Sequence, residues 1–242
     1  MAGDASHIIF LGLTKYINKL HTRYFMKSGT REDYLIEMLR MTNGGGKVKT
    51  NELAERLEVS PASVSEMIKV LSKEGYVKYT RYHGAELTEK GHEHARHLRR
   101  KHDLMEKFLT DVLGIEASAA HEEAHKMEHA ISDESAWKIC RIIGSPDNKD
   151  CGLCNDPEMK EKGCRTGIRL SNMKPGEMGK ISHLKCETSF IIKKLISMGF
   201  VPGREVCMDS NISKAGPKVV SIGNATFALD SETADSVFVD PS

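Results

Sequence analysis

The stretch from Lys49 to Leu71 reads KTNELAERLEVSPASVSEMIKVL, and it decides the fold of the N-terminal part of the chain. Apolar side chains recur at helical spacing on both sides of a break at Glu58–Val59, so the stretch predicts two short helices. We expect Thr50 to cap the first helix. Ser60 followed by Pro61 is a strong start for the second, because Ser is a favoured N-cap and Pro is favoured at the first helical position. Two short helices joined by a tight turn predict a helix-turn-helix.

Two strands are predicted after this motif, at residues 76–80 and 85–88, around a turn at His83–Gly84. A hairpin in this place is typical of the wing of a winged helix. The second helix would then lie in the major groove, and the wing would touch the DNA backbone. The side chains predicted to contact DNA are Ser60, Ser63, Ser65, Glu66, Lys69 and Arg81. For any single serine, a solvated helix face is an equal alternative.

The charge distribution fits a polyanion partner for the first part of the chain. Residues 1–100 carry 17 basic and 12 acidic side chains, residues 101–142 carry 5 and 9, and residues 143–242 carry 13 of each. The basic part suits nucleic acid and the acidic, His-rich middle suits a cation, although such an excess alone is common in domains of this size. There is no run of about 18 apolar residues and no signal-peptide pattern, so we expect a cytoplasmic protein without a membrane partner.

Residues 121–129 read HEEAHKMEH and predict a metal-binding helix. Because residues three and four apart share a helix face, His125, Glu128 and His129 converge on one stripe, with His121 one turn earlier. A core face is a poor alternative, since it would bury several polar groups without partners. Nitrogen and oxygen donors without sulfur suit Fe(II), Mn(II), Co(II) or Zn(II). Among these we favour Fe(II), with Mn(II) next.

The chain is apolar just before Gly144 and becomes polar after it. The preceding helix, capped by Ser132 and including Trp137 and Ile143, is more apolar than one exposed helix requires, and we expect its apolar face to contact a second copy of the chain. The polar stretch at residues 145–167 is typical of a linker. Residues 168–242 alternate short strands with turn signals, which predicts a small β-barrel.

Cysteines cluster around the predicted linker. Cys-x2-Cys is a common half of a zinc or iron–sulfur site, so we expect Zn(II) or an iron–sulfur cluster here, while free or redox-active thiols and disulfides stay open as alternatives. The candidate ligands are Cys140, Cys151, Cys154 and Cys164, with Cys186 as an alternative to Cys140. Cys207 is expected to act as a small hydrophobic residue in a strand.

The order of these elements resembles the iron- and manganese-dependent repressors of the diphtheria toxin repressor type. The similarity covers about residues 30–143. It rests on the helix-turn-helix at 53–71, on RKHDL at 100–104 with LTD at 109–111, and on EAHKMEHAISD at 123–133. Residues 168–240 are similar to the SH3-like barrel of the same family and of ferrous-iron-transport accessory proteins.

The resemblance implies two metal sites. The primary site would consist of Asp33, His125, Glu128 and His129, and the second site of His102, Glu106 and His121. Some family members add a ligand from the barrel, which would be Glu187 here. The chain departs from both family patterns: the iron type often has Met and Cys where Asp33 and His125 stand, and the manganese type has a second carboxylate where Ile36 stands.

The expected fold class is α+β, with a winged helix-turn-helix domain, an α-helical metal-binding and dimerisation domain, and a C-terminal SH3-like small β-barrel. The expected domains are an N-terminal extension helix at residues 1–29, the DNA-binding domain at 30–96, the metal-binding and dimerisation helices at 97–144, the Cys-containing linker at 145–167 and the SH3-like domain at 168–242. The expected function is a homodimeric, Fe(II)- or Mn(II)-dependent repressor that binds a palindromic double-stranded DNA operator and controls metal-ion homeostasis; we do not expect an enzyme.

Two alternatives follow from the same residues. His125, Glu128 and His129 also form the H-x-x-E-H pattern of a class of zinc metallopeptidases, in which the glutamate acts as a base. Alternatively, the chain is a metal-independent winged-helix regulator whose cysteines sense redox state or carry a cluster. Metal-dependent DNA binding separates the three hypotheses.

Overall fold

The structure is a computed structural model that describes residues 31–43, 45–144, 167–186, 188–211 and 216–242. The predicted N-terminal extension helix, most of the linker and Glu187 lie outside these residues. The chain divides into two compact units, one up to Arg99 and one from Arg100 onward. We describe each unit by itself.

The N-terminal unit is a winged helix. Its elements are α1 (Arg31–Thr42), β1 (Lys47–Val48), α2 (Thr50–Arg56), α3 (Pro61–Lys73), β2 (Val77–Thr80), β3 (Gly84–Leu87) and the first half of α4 (Glu89–Asp111). The three strands form an antiparallel sheet in the order β1-β3-β2. Leu53, Leu57, Val64, Ile68 and Leu71 are buried in one hydrophobic core, which confirms the predicted inner faces of α2 and α3.

Local signals set the ends of these helices. The Ser60 hydroxyl accepts a hydrogen bond from the Ser63 backbone N–H at 3.1 Å, so the predicted cap of α3 is confirmed. The predicted cap of α2 is wrong: Lys49 occupies the cap position without a side-chain bond, and Thr50 is already helical. Thr88 caps α4, because its hydroxyl accepts from the Gly91 N–H at 3.1 Å.

The C-terminal unit begins with helices. After the second half of α4 come α5 (Ala117–Glu128) and α6 (Asp133–Ile143). The Ser132 hydroxyl caps α6 as predicted, accepting from Ser135 N–H at 3.2 Å. The Glu116 carboxylate caps α5 and accepts from the Ser118 N–H at 3.0 Å.

A six-stranded antiparallel sheet completes this unit, in the order β4-β9-β5-β6-β7-β8. Its elements are β4 (Ile168–Arg169), a 3-10 turn (Leu170–Asn172), β5 (Met178–Leu184), α7 (Ser189–Ser197), β6 (Glu205–Asn211), β7 (Lys218–Ile222), β8 (Ala225–Leu229), α8 (Ser231–Asp235) and β9 (Val237–Pro241). The pairing register shifts within β5 and within β6, as it does at a β-bulge. The predicted small β-domain is confirmed.

Helices and sheet share one core in this unit. Trp137 and Ile143 of α6 are buried in the same cluster as Ile181 and Leu184 of β5. The Arg141 side chain also donates its Nε–H to the Ser182 carbonyl at 2.6 Å. Trp137 and Ile143, on the apolar face of α6, are buried against this chain's own sheet, whereas Ile139 and Ile142 are partly buried. The contact of this face with a second copy of the chain stays a prediction. In the described ranges, no helix is long and apolar enough to span a membrane.

Candidate metal centre and DNA-binding surface

The first cluster of ligand-type side chains lies at the end of α5. Glu128 Oε1 is 3.0 Å from His125 Nδ1 and 3.3 Å from His129 Nε2. Glu128 is buried, with 1% of its surface exposed, and the two imidazoles are partly buried. His129 follows the last helical residue but keeps right-handed helical backbone angles. The helical stripe predicted from the i, i+3 and i+4 spacing therefore extends to His129, and it brings these three residues together.

The second cluster joins α4 to α5. His102 Nε2 is 2.9 Å from His121 Nδ1 and 3.2 Å from Glu106 Oε2, and the same carboxylate oxygen is 3.0 Å from His121 Nδ1. His102 is buried and the other two side chains are partly buried. The resemblance predicted that these three residues form a second site. The fold brings all three together.

Glu128 links the two clusters. Its second oxygen, Oε2, lies 2.7 Å from His102 Nδ1. A neutral imidazole carries one proton, and a carboxylate only accepts, so this contact puts the proton of a neutral His102 on Nδ1. In the charged form of His102, Nε2 also carries a proton and donates it to Glu106. Loss of that proton leaves an Nε2 lone pair, beside Glu106 and His121, that is available to an ion. A histidine whose other ring nitrogen donates to a carboxylate is the usual arrangement of a metal ligand in proteins. Nothing in the local sequence signalled this contact.

The electrostatics of the clusters follow from these contacts. Burial opposes a charge on His102, but hydrogen bonds to Glu106 and Glu128 outweigh burial and raise the pKa of His102 to about 9. Burial likewise opposes a charge on Glu128, yet hydrogen bonds from His102 and His125 lower the pKa of Glu128 to about 2. Hydrogen bonds from His102 and His121 lower the pKa of Glu106 well below its usual range. Both carboxylates are therefore ionised at neutral pH.

The donor atoms of both clusters fit a divalent ion. In the second cluster the three atoms are 2.9 to 3.2 Å apart. Ligands about 2.1 Å from a shared ion and at right angles to one another are about 3.0 Å apart. In the first cluster, His125, Glu128 and His129 offer ligand atoms within 4.8 Å of one another. The donors are imidazole nitrogen and carboxylate oxygen, which suit Fe(II), Mn(II), Co(II) or Zn(II).

Asp33 lies in the first turn of α1, in the N-terminal unit, and is buried. Ile36, one turn later, is also buried. The neighbouring carboxylate does not replace the missing manganese-type ligand, because Glu37 accepts a hydrogen bond from Arg56 Nε at 2.7 Å and pairs with Arg40 at 3.7 Å. The departure from the manganese-type pattern therefore remains in the folded chain.

Lys101 is a supporting residue that the sequence analysis did not assign. It is 8% exposed; its Nζ donates to the Ile131 carbonyl at 2.9 Å and pairs with Asp133 Oδ1 at 2.6 Å. These bonds tie α4 to the turn between α5 and α6, one residue away from His102. The only sequence signal was its place beside His102 in the RKHDL stretch.

The predicted DNA-contacting side chains lie on the exposed side of α3 and at the wing. Glu66, Lys69 and Arg81 are exposed. The serines are exposed too, but each has an internal role: Ser60 and Ser63 hydroxyls are 2.8 Å apart at the cap, and the Ser65 hydroxyl donates to the Pro61 carbonyl at 2.8 Å. Two exposed wing residues, Tyr79 and Tyr82, were missed by the sequence analysis.

Of the candidate cysteine ligands, the structure describes two, Cys140 and its alternative Cys186. Cys140 is buried in the core on α6. Cys151, Cys154 and Cys164 lie outside the described residues, as does Glu187. Cys186 is buried as well, and burial raises its pKa to about 11. The zinc or iron–sulfur hypothesis therefore stays a prediction.

Comparison with known proteins identifies the family. Residues 26–85 match the model of the iron dependent repressor N-terminal DNA binding domain, and residues 88–155 match that of the iron dependent repressor metal binding and dimerisation domain. An HTH-type transcriptional regulator of Methanocaldococcus jannaschii is 44% identical over 104 residues, which cover 43% of this chain and 83% of that protein. The chain belongs to the iron-dependent repressor family.

Further matches concern the C-terminal part of this iron-dependent repressor and other regulators similar to it. Residues 168–241 match the FeoA domain. The HTH-type transcriptional regulator MntR of Shouchella clausii is 34% identical over 118 residues, covering 49% of this chain and 82% of MntR. A solved structure described as a manganese-dependent transcriptional repressor in complex with manganese is 26% identical, covers 88% of this chain and 100% of its own, and has a TM-score of 0.42. The three family-model matches confirm the resemblance and the fold class predicted from the sequence.

Proposed function

We propose that this iron-dependent repressor binds a palindromic DNA operator as a homodimer when Fe(II) or Mn(II) is bound, and that it controls metal-ion uptake. The observation that supports the proposal most is the pair of linked clusters, His125–Glu128–His129 and His102–Glu106–His121, in a chain that also carries a winged helix. The donor atoms have the spacing and chemistry of ligands to a divalent ion.

In this proposal the resemblance supplies Asp33 as the fourth ligand of the first site. A bound cation supplies positive charge that offsets the buried carboxylates. Glu128 holds His102 and orients its Nε2, while Lys101 fixes the distance between α4 and the α5–α6 turn. Asp33, near the start of α1, restrains the winged helix. In a dimer, the two restrained winged helices (the DNA-binding heads) lie at one fixed separation. That separation matches the spacing of the two half-sites of a palindrome.

Metal binding and DNA binding are thermodynamically linked in this proposal. If metal restrains the DNA-binding heads, the metal-bound protein binds DNA more tightly, and DNA must tighten metal binding by the same factor. We favour Fe(II) over Mn(II), as the sequence analysis did. Late transition metals bind such donor sets more tightly than Mn(II), so affinity alone does not select the physiological ion.

The metallopeptidase alternative fits the geometry poorly. A general base needs a carboxylate oxygen within reach of a substrate water. Glu128 Oε1 contacts two imidazoles and Oε2 contacts a third, and the side chain is buried. These contacts suit a ligand or a partner of ligands.

The experiment begins with selection of duplex DNA from a random library by the full chain with Mn(II). Fluorescence anisotropy then measures binding of the selected duplex with Mn(II), with Fe(II) under anaerobic conditions, and with a chelator. We expect tight binding only with metal, and loss of the metal response in Glu128→Ala and His129→Ala. Glu123→Ala, an exposed change on the same helix, is the control. Binding that is equally tight with the chelator refutes metal dependence, and a normal metal response of both variants refutes the site.

Anaerobic metal analysis of the purified chain tests the cysteine hypothesis. An iron–sulfur cluster gives iron, sulfide and visible absorbance, whereas Zn(II) gives a colourless protein. Retention of that metal in Cys154→Ser would contradict the assignment.

A further inference from the structure

The wing ends in an exposed aromatic side chain that the proposed function has not used. Tyr82 is 87% exposed, the highest value among the large apolar and aromatic side chains in the described part of the chain. It stands between β2 and β3, in the turn Arg81–His83 that joins the two wing strands. Contact of a whole aromatic ring with water is unfavourable, and a ring in this position is accessible to a partner.

The backbone of Tyr82 adds a second observation. Its φ is +65°, in the left-handed region that Gly and Asn occupy at much lower cost than a bulky residue. Compared with Gly or Asn, a tyrosine at this position destabilises the turn, and burial of its ring does not offset that cost. Backbone strain held at an exposed turn is typical of functional sites.

A cation accompanies the ring. The guanidinium carbon of Arg81 lies 4.9 Å from the centroid of the Tyr82 ring, within cation–π distance. The tip thus presents an aromatic face and a positive charge together. An aromatic ring suits sugars and bases, and a guanidinium suits phosphate.

The base of the wing is held firmly, so the tip has a defined position. Gly84 at the start of β3 has φ +96°, and a Cβ there would lie 2.5 Å from the Val48 carbonyl oxygen of β1. The backbones of β3 and β1 therefore lie close together, and the wing is continuous with the three-stranded sheet. Thr80 and His83 close the turn through a backbone hydrogen bond of 3.0 Å.

We propose that Tyr82 is a DNA-contacting residue, whose ring packs on the deoxyribose of the DNA backbone beside each half-site while Arg81 contacts the adjacent phosphate. This inference rests on the proposed DNA-binding function and adds one contact to it. The contact is made with the sugar and phosphate of the DNA and not with the bases. It therefore raises affinity for specific and non-specific duplexes alike.

The test uses the full-length chain with Mn(II) and the duplex selected above. Tyr82→Gly removes the ring and accepts the positive φ, so its melting temperature should equal or exceed that of the wild type. Its affinity for DNA should fall about tenfold, because loss of roughly 1.4 kcal/mol of apolar contact between ring and sugar corresponds to that factor. Tyr82→Phe keeps the ring and should stay within about twofold. Phe190→Ala removes the other highly exposed aromatic, 73% exposed and in the C-terminal unit, and serves as the matched control.

Salt dependence separates the two tip residues. Arg81→Ala removes a phosphate contact and should reduce the slope of log affinity against log salt by about 0.9 per bound head, whereas Tyr82→Gly should leave the slope unchanged. Hydroxyl-radical footprinting should show lost protection only at the sugars beside each half-site in Tyr82→Gly.

The outcomes are distinguishable. A wild-type chain that binds no duplex in the presence of metal overturns both the proposed function and this inference. Normal wild-type binding with Tyr82→Gly within twofold and an unchanged footprint overturns the wing-tip contact alone. A change in oligomeric state of Tyr82→Gly by sedimentation, with DNA affinity intact, would assign the ring to a second copy of the chain and also overturn it.

Discussion

At the scale of single residues, Glu128 shows how the fold turns a helix stripe into a metal centre. One carboxylate oxygen serves His125 and His129 and the other serves His102, so a single side chain reaches both clusters. Burial of a carboxylate normally raises its pKa, yet the pKa of Glu128 falls to about 2 because the imidazole contacts outweigh burial. The charge that an ion requires is thus present before the ion binds.

Replacement of Glu128 by Gln should weaken metal binding at both clusters. The amide keeps the size of the side chain, but it lacks the charge and can no longer act as a pure acceptor for His102 Nδ1. Loss of such an oriented carboxylate typically costs 10- to 100-fold in metal affinity, so we expect about that decrease for Mn(II). Isothermal titration calorimetry measures it, with Glu123→Gln as the exposed control. Two unchanged binding steps in Glu128→Gln would contradict the link.

The stability of the metal-free protein should depend on pH through the same pair. The folded pKa of Glu128 is about 2 against an ordinary 4.5, so its contribution is complete above about 4.5 and is lost as pH falls toward 2. The folded pKa of His102 is about 9 against 6.5, so its contribution is complete below 6.5 and is lost as pH rises through 9. Urea denaturation in chelator should therefore show a plateau between about pH 4.5 and 6.5. His102→Gln should flatten the alkaline decline; a wild-type protein equally stable at pH 6 and pH 9 would refute this.

At the scale of elements, the stability of helix α3 depends on its N-cap residue, Ser60, which was predicted from the sequence. Ser60→Ala removes the acceptor for the Ser63 N–H and should lower the free energy of unfolding by about 1 kcal/mol. Ser65→Ala is the matched control, because the Ser65 hydroxyl only donates back to the Pro61 carbonyl, and its loss should change stability by less than about 0.5 kcal/mol. Urea denaturation monitored by circular dichroism separates the two. Equal losses in both variants would mean that the cap contributes nothing of its own.

Elements with local signals could be predicted from the sequence, and those without them could not. The Ser60–Pro61 helix start and the i, i+4 apolar spacing of α3 both lie within one short segment of sequence, so they can be recognised without knowledge of the fold. Strand β1, of two residues, has no periodicity of its own and exists because Lys47 and Val48 pair with β3. The cap of α5 is also non-obvious, since a Glu two residues before Ser118 takes the role that Ser usually fills.

The same division holds for the metal centre. Spacing along α5 places His125, Glu128 and His129 on one face, and it is sufficient to predict their proximity. The contact between Glu128 and His102 depends on how α5 packs on α4, and Lys101 fixes that packing through the Ile131 carbonyl. No pattern within either helix encodes it, so the sequence predicted two separate sites where the fold links them through one carboxylate.

At the scale of the whole molecule, the helices and the FeoA-type sheet of the C-terminal unit share a common core. The apolar surplus of α6 was predicted to meet a second chain because the sequence does not show which surface covers it. Trp137 and Ile143 pack in the cluster that contains Leu184 of β5, and Arg141 bonds the Ser182 carbonyl. A continuous core implies that helices and sheet unfold together.

Truncation of one buried side chain in the sheet should therefore also destabilise the helices. Leu184 is 1% exposed, and Leu184→Ala should lower the free energy of unfolding by about 2 to 5 kcal/mol through lost burial and a cavity. Because the core is shared, amide hydrogen exchange should accelerate in α6 as well as in β5, by similar factors. Phe190→Ala, exposed on α7, should change neither. Faster exchange confined to the sheet, with α6 protected as before, would show that the two parts are separate cooperative units and that the common core does not couple them.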